Sequence, residues 1–194
     1  METMFAAFSP IVSNFLKSPN HEIEFRLGKL SRGKFDTNVG VDAYQNALRG
    51  LGSFSGWEEV KRSNDTIYYG TNGRRAIFDN KTEQIVRCVK KRVHVVDHKM
   101  DPFDVRLGIS TEVPYEPAED EEEFEHTKNR IRHSFIRKNV SIDVSMVTGT
   151  PDDIDDEEST TYQIELEIIK PGEVQNNQEI FNIVHKIIDV MKVT

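Results

Sequence analysis

His21-Glu22-Ile23-Glu24-Phe25-Arg26-Leu27-Gly28-Lys29 is the stretch that decides the fold. At a period of two, Glu22, Glu24 and Arg26 fall on one side and Ile23, Phe25 and Leu27 on the other. That is a strand with an apolar back and a front made of charge. Gln163-Ile164-Glu165-Leu166-Glu167-Ile168 repeats the alternation near the other end, again with acids in front and large aliphatics behind.

The same pattern runs through the chain between them. Lys128, Arg130, Arg132 and Ser134 alternate with Ile131, His133 and Phe135, and Ser141, Asp143 and Ser145 with Val140, Ile142, Val144 and Met146. Arg106, Gly108, Ser110 and Glu112 oppose Val105, Leu107, Ile109, Thr111 and Val113, while Lys90, Arg92 and His94 oppose Val89, Val93 and Val95. A sheet with one wet face would carry a mixture of Ser, Thr, Gln and Lys outside. Here the polar side is specifically Glu, Asp, Arg and Lys, with the signs grouped by strand. The pattern predicts a closed or nearly closed antiparallel barrel turned inside out, its aliphatics beneath helices and its lumen charged.

Charges facing a lumen need partners, water or an ion. Acids on one wall with Arg and Lys on the others fit a metal-bound polyphosphate. Carboxylate oxygens suit Mg²⁺ or Mn²⁺, and Arg and Lys suit phosphate oxygens.

Around these strands the chain reads as one α+β domain, residues 1–194. Ser9 and Pro10 predict the start of a helix running to about Lys17, with Phe5 and Phe8 extending its apolar surface. Gly28 and Ser31-Arg32-Gly33-Lys34 end the first strand. A second helix starts near Val41 and stops at Gly50-Leu51-Gly52, and a last one puts Ile180, Ile183, Val184, Ile187, Ile188 and Met191 on one side. The predicted strands are Trp57–Arg62, Thr66–Tyr69, Arg74–Asp79, Ile85–Val96, Asp104–Val113, Asn129–Phe135, Val140–Val147 and Tyr162–Ile169. Asn72-Gly73, Asp79-Asn80, Asp101-Pro102 and Lys138-Asn139 are turn signals between them.

The 194 residues carry a net charge of -8, which comes from two unopposed runs. Seven acids lie between Glu116 and Glu125 and six between Asp152 and Glu158; without these 13, 20 acids face 25 Lys and Arg. A mildly basic body with two acidic loops remains open to an anionic partner. No apolar run approaches a membrane span. Met1-Glu2-Thr3 lacks the basic start of a secretory signal, and the single Cys88, read as a buried filler, fits a reducing, intracellular compartment. There is no Gly-x4-Gly-Lys-Ser/Thr loop and no Cys-x5-Arg around Cys88, which excludes Walker-type and cysteine-phosphatase chemistry. The six histidines show no metal-ligand spacing. Trp57, Tyr68 and Tyr69 could stack a nucleotide, with core packing the stronger reading.

The two Glu-x-Glu strands, Arg106-x5-Glu112, Lys128-x-Arg130-x-Arg132 and Asp143-x-Ser145, in this order, resemble the triphosphate tunnel metalloenzymes. Within them the chain is similar to the fungal and large-DNA-virus type of metal-dependent mRNA 5′-triphosphatase, and nearest in size to the stand-alone form of algal viruses. The resemblance runs from Glu22 to Glu167. It implies an eight-stranded tunnel that removes the γ-phosphate from 5′-triphosphate RNA ends with Mg²⁺ or Mn²⁺, nucleoside triphosphates being possible substrates. Glu22, Glu24 and Glu167 would hold the metal, and Glu112 and Glu165 would orient the attacking water. Arg74, Lys90, Arg106, Lys128, Arg130 and Arg132 would grip the triphosphate, with Asp143 bracing those cations and Ser145 beside it. An mRNA guanylyltransferase is the implied functional partner, and the chain is implied to be viral and to act in a host cell. It would be a monomer or a homodimer, with no membrane involved.

Two departures from the fungal pattern are visible. Gln163 stands where a third glutamate is usual, and Ser145 where Thr is usual. Strand parity favours Lys90 over Lys91, whereas Arg74 and Arg75 stay equivalent. Small-molecule members of the group, acting on tripolyphosphate or thiamine triphosphate, open with Glu-x-Glu-x-Lys; Arg26 at the Lys position favours the RNA enzyme. A silent polyphosphate- or RNA-end-binding module is the remaining alternative, and it does not need the full acidic set.

Overall fold

A computed structural model describes residues 2–17, 20–117, 123–149 and 159–194. Most of the two acidic runs, and Pro19, lie outside the described residues. The elements are α1 (Glu2–Phe15), β1 (His21–Ser31), β2 (Lys34–Asp36), α2 (Val41–Ser53), β3 (Glu59–Gly70) and β4 (Arg74–Asp79). They continue with β5 (Ile85–His98), β6 (Asp104–Pro114), β7 (Phe124–Arg137), β8 (Val140–Gly149), β9 (Thr160–Ile168) and α3 (Asn177–Met191).

Eight strands pair in the order β1-β6-β5-β4-β3-β7-β8-β9, all antiparallel, and β1 pairs with β9 to close the barrel. The short β2 hangs on the far end of β1. Ile23, Phe25 and Leu27 of β1, Val105, Leu107 and Ile109 of β6, Ile142 and Val144 of β8, and Ile164, Leu166 and Ile168 of β9 are buried outside the lumen. They lie in one core cluster with Met4, Phe8 and Val12 of α1, Ala47 and Leu51 of α2 and Ile180, Ile183, Val184 and Ile187 of α3. The hydrophobic core therefore lies between barrel and helices, and the polar faces turn inward, as the alternation predicts. No helix among the described residues is long and apolar enough to cross a membrane.

The structure departs from the sequence reading in three places. The first helix begins at Glu2, not Ser9, and carries Pro10 inside it. Met4, Phe8 and Val12, four residues apart and wholly buried, make one stripe that spans the proline; burial of that stripe outweighs the lost backbone bond. The strands predicted at Trp57–Arg62 and Thr66–Tyr69 are one strand, β3, because Ser63, Asn64 and Asp65 pair with β7 instead of turning. Finally, β1 runs through Gly28 to Ser31 and turns back at Arg32 (φ 49°) and Gly33 (φ 77°). Two successive left-handed residues make the tight hairpin that leads into β2. Gly28 permits this return: a Cβ there would lie 2.1 Å from the Asp36 carbonyl oxygen.

Candidate active site

Opposed residues in an antiparallel ladder point to the same side of a sheet, so the lumen can be followed from strand to strand. At the seam, Glu24 of β1 stands opposite Glu167 of β9, and Arg26 opposite Glu165. On the other side of β1, Glu22 faces Ser110, Glu24 faces Gly108 and Arg26 faces Arg106. Lys90 of β5 faces Glu112 of β6. On β7, Arg130 lies opposite Asp65, and Arg132 opposite Ser145, while Asp143 is opposite Glu165. Of the acids and bases in the sequence pattern, Arg74 and His94 are off this surface; His94, past a β-bulge, stands opposite Ile109 and stacks on Phe15 of α1.

Arg74 is a correction. It stands opposite Val89, on the outer parity, whereas Arg75 stands opposite Cys88, two residues from Lys90 and on the same face as it. The strand begins at Arg74 directly after Gly73, so its phase is set by the turn, and neighbouring arginines give no alternation to read. Cys88 itself is buried, and burial pushes its thiol up, which leaves it an inert filler.

The acids form a continuous wall. The Lys90 ammonium contacts Glu22 and lies 3.2 Å from Glu112 and 3.9 Å from Glu24. Ser110 donates to Glu22 at 2.8 Å. Glu24 leans over Gly108, where a Cβ would meet its Oε1 at 3.2 Å. The Arg26 guanidinium bridges the seam, with Nη2 donating to Glu24 at 3.0 Å and Nε 2.9 Å from Glu165 Oε1.

Opposite them, Arg132 collects three partners: Asp143 at 2.9 Å, Glu165 at 3.1 Å and the Ser145 hydroxyl at 3.3 Å. Arg130 donates twice to Asp65, at 2.7 and 3.1 Å. Arg106 donates to both oxygens of Asp97, at 2.7 and 2.9 Å, and its guanidinium lies 4.5 Å from the centre of the Phe35 ring. Lys128 lies 6.0 Å from the Tyr69 ring centre. Gln163 faces inward opposite Ser145, and its amide donates to Thr37 at 3.3 Å.

Asp65 and Asp97 are not picked out by the sequence pattern. Asp65 falls in the gap between the strands predicted at Trp57–Arg62 and Thr66–Tyr69. Asp97 follows a β-bulge at Arg92–His94, which breaks the count along β5.

Electrostatics separates the acids. Glu167 is pushed up to about 8 by burial and then by the neighbouring Glu22 and Asp143. Burial also raises Glu24, with Arg26 opposing it. For Glu165, burial is outweighed by Arg26, Arg132 and Lys90, and its carboxyl is held below the ordinary range. Lys90 is held above the usual lysine value because Glu24 and Glu22 outweigh its burial.

Among the described residues no three side chains converge as a ready-made metal cage; Lys90 and Arg26 stand between the acids instead. The donor set nonetheless fits a hard divalent cation. Glu22, Glu24 and Glu167 offer only carboxylate oxygens, from adjoining strands. The crowding that raises Glu167 is what a bound cation would relieve.

Residues 58–192, more than half of the chain, match the family model described as "mRNA capping enzyme, beta chain". The strand of Glu22 and Glu24 precedes that span. No curated protein matches the chain significantly. Among solved structures, the S. pombe Pct1 RNA triphosphatase, in complex with the Spt5 CTD, superposes with a TM-score of 0.78 at 16% identity, over 97% of this chain and 89% of that one. The Mimivirus capping enzyme triphosphatase superposes with a TM-score of 0.68 at 13% identity, over 99% of this chain and 98% of that one. At such identities the superpositions establish a shared fold, the tunnel.

Proposed function

The chain belongs to the mRNA triphosphatase family, the beta chains of mRNA capping enzymes, and on that premise we propose that its tunnel removes the γ-phosphate from 5′-triphosphate RNA ends. The observation that carries this reading is the opposition of Glu24 and Glu167 across the β1–β9 seam, facing the basic row Lys128, Arg130 and Arg132 of β7. An acidic wall that needs a cation, opposite a basic wall that needs an anion, describes a receptor for a metal-bound polyphosphate.

Glu22, Glu24 and Glu167 are the residues that would hold the metal, Mg²⁺ or Mn²⁺. When bound, such an ion acts as a Lewis acid that offsets charge on the transferred phosphoryl group. Lys90, Arg130 and Arg132 supply fixed positive charge to the phosphate oxygens. Buried carboxylates already hold them in place, so little reorganisation is needed as charge develops. Glu112, half exposed and on the Lys90 side of the wall, aligns a water and takes its proton. The water oxygen bonds to the γ-phosphorus while the bond to the β–γ bridging oxygen breaks. The products are inorganic phosphate and a diphosphate end suited to a guanylyltransferase. Glu165, with both oxygens engaged by Arg26 and Arg132, holds those cations instead of activating water.

The test is γ-phosphate release from a triphosphate-ended RNA oligomer with Mg²⁺ or Mn²⁺ and then with EDTA. Metal-dependent release that Glu24→Gln abolishes supports the reading. Hydrolysis of tripolyphosphate but not of RNA would reassign the chain to the small-molecule branch of the fold.

A further inference from the structure

Tyr69 and His126 have no part in the hydrolysis, yet both face the lumen at its rim. Tyr69 is the penultimate residue of β3, opposite Arg75 of β4 and His126 of β7. The Tyr69 and His126 rings are stacked, 4.7 Å between centroids and 8° from parallel. The Arg75 guanidinium lies 5.2 Å from the Tyr69 ring centre and the Lys128 ammonium 6.0 Å. All four residues are partly exposed. Neighbouring Tyr68 has the opposite parity and meets Phe124 at 5.2 Å on the outside of the barrel.

The strand registers place this group relative to the charged walls. The strands are antiparallel throughout, so the rim where β3 ends is the rim where β7 begins and β1 ends. On β4 and β5 the same group adjoins the acidic wall, because Arg75 pairs with Cys88, two residues from the Lys90 that faces Glu112. Along β7, Arg132, Arg130 and Lys128 step in order toward the aromatic pair. The aromatic pair therefore lies between the Lys128 end of the β7 basic row and the Lys90–Glu112 pair, beside the groups that would grip the phosphates.

We propose that the Tyr69–His126 stack is the subsite for the first nucleoside of the RNA, its base lying against the aromatic pair while Arg75 and Lys128 hold the phosphates next to it. The assignment rests on the RNA triphosphatase reading above. Every base offers a π-face, so such a platform accepts any 5′ nucleoside and favours RNA ends over inorganic polyphosphate.

The test compares Tyr69→Leu, His126→Leu and Tyr69→Phe with the parent on a triphosphate-ended RNA oligomer and on inorganic tripolyphosphate, with thermal unfolding of each variant. The leucine variants lose about ten-fold or more in kcat/KM on RNA. They keep their tripolyphosphate activity, and Tyr69→Phe stays near the parent on both. Equal losses on the two substrates, or no loss on RNA from either leucine variant, overturn the subsite. A parent chain active on tripolyphosphate but not on RNA overturns the functional reading itself. A parent active on RNA with unselective variants overturns the subsite alone.

Discussion

Glu165 and Glu167 lie two residues apart on one face of β9, and their surroundings push their ionisation in opposite directions. Glu165 sits between Arg26 and Arg132, at 2.9 and 3.1 Å, and is held below the ordinary carboxylate range. Glu167 is raised to about 8 by burial, Glu22 and Asp143. Oppositely shifted carboxyls on one strand mark a division of labour: Glu165 is already paired with guanidinium groups, whereas Glu167 is crowded by Glu22 and Asp143, as the proposed metal site requires.

Glu165→Gln therefore destabilises the protein. It removes one of two carboxylate partners from each guanidinium group, Arg26 keeping Glu24 and Arg132 keeping Asp143, a cost of about 2 kcal/mol. Because the folded-state value of Glu165 lies below the unfolded one, its stabilisation is present above about pH 4.5 and is lost as pH falls. Thermal unfolding at pH 7 in EDTA checks this; a midpoint equal to the parent's would contradict the brace assigned to Glu165.

Glu167→Gln behaves in the opposite way. A carboxyl raised to about 8 in the fold binds its proton more tightly there than in the unfolded chain. The metal-free parent thus loses stability as pH rises from about 4.5 through about 8. The glutamine variant lacks that decline and melts higher than the parent near pH 8 in EDTA, while hydrolysing no RNA. Melting curves between pH 5 and 8.5 read the difference in slope directly.

Much of this arrangement was legible in alternation alone. The β1 and β9 repeats, the basic row of β7 and the closed barrel follow from which residues share a parity. The legible residues are those in long, unbroken strands. What stayed hidden depends on where a strand starts or slips. Arg74 and Arg75 directly follow a turn, Asp97 lies beyond a bulge, and Asp65 sits among polar residues typical of a loop. Pro10 likewise suggested a helix start, because sequence rules weigh its missing donor but not the buried stripe that holds the helix together across it.

The register of β4 separates its two arginines. Arg75→Ala removes a lumen charge and lowers kcat/KM for RNA by about ten- to a hundred-fold, the scale of a lost charge-assisted contact to phosphate. Arg74→Ala, on the outer parity beside Tyr115, leaves turnover within about two-fold. Steady-state phosphate release from the two variants decides the matter, and a reversed order would mean that β4 is shifted by one residue.

Gly108→Ala tests the space behind the acidic wall. Gly108 faces Glu24 across the β1–β6 ladder, and an added Cβ would press on its Oε1 at 3.2 Å and its Cγ at 3.4 Å. The carboxylate must then move by a few tenths of an ångström, enough to disturb ligand geometry but not to unfold a strand. Metal affinity depends on that geometry, because octahedral ions tolerate little displacement of their oxygen ligands. The expected result is a several-fold rise in the Mg²⁺ or Mn²⁺ concentration needed for half-maximal phosphate release, roughly what a cost of about 1 kcal/mol at one ligand gives. The metal-free melting temperature should change little. A metal titration unchanged from the parent would show that Glu24 does not need the position it holds here, and would move the metal away from the β1–β6 side of the tunnel.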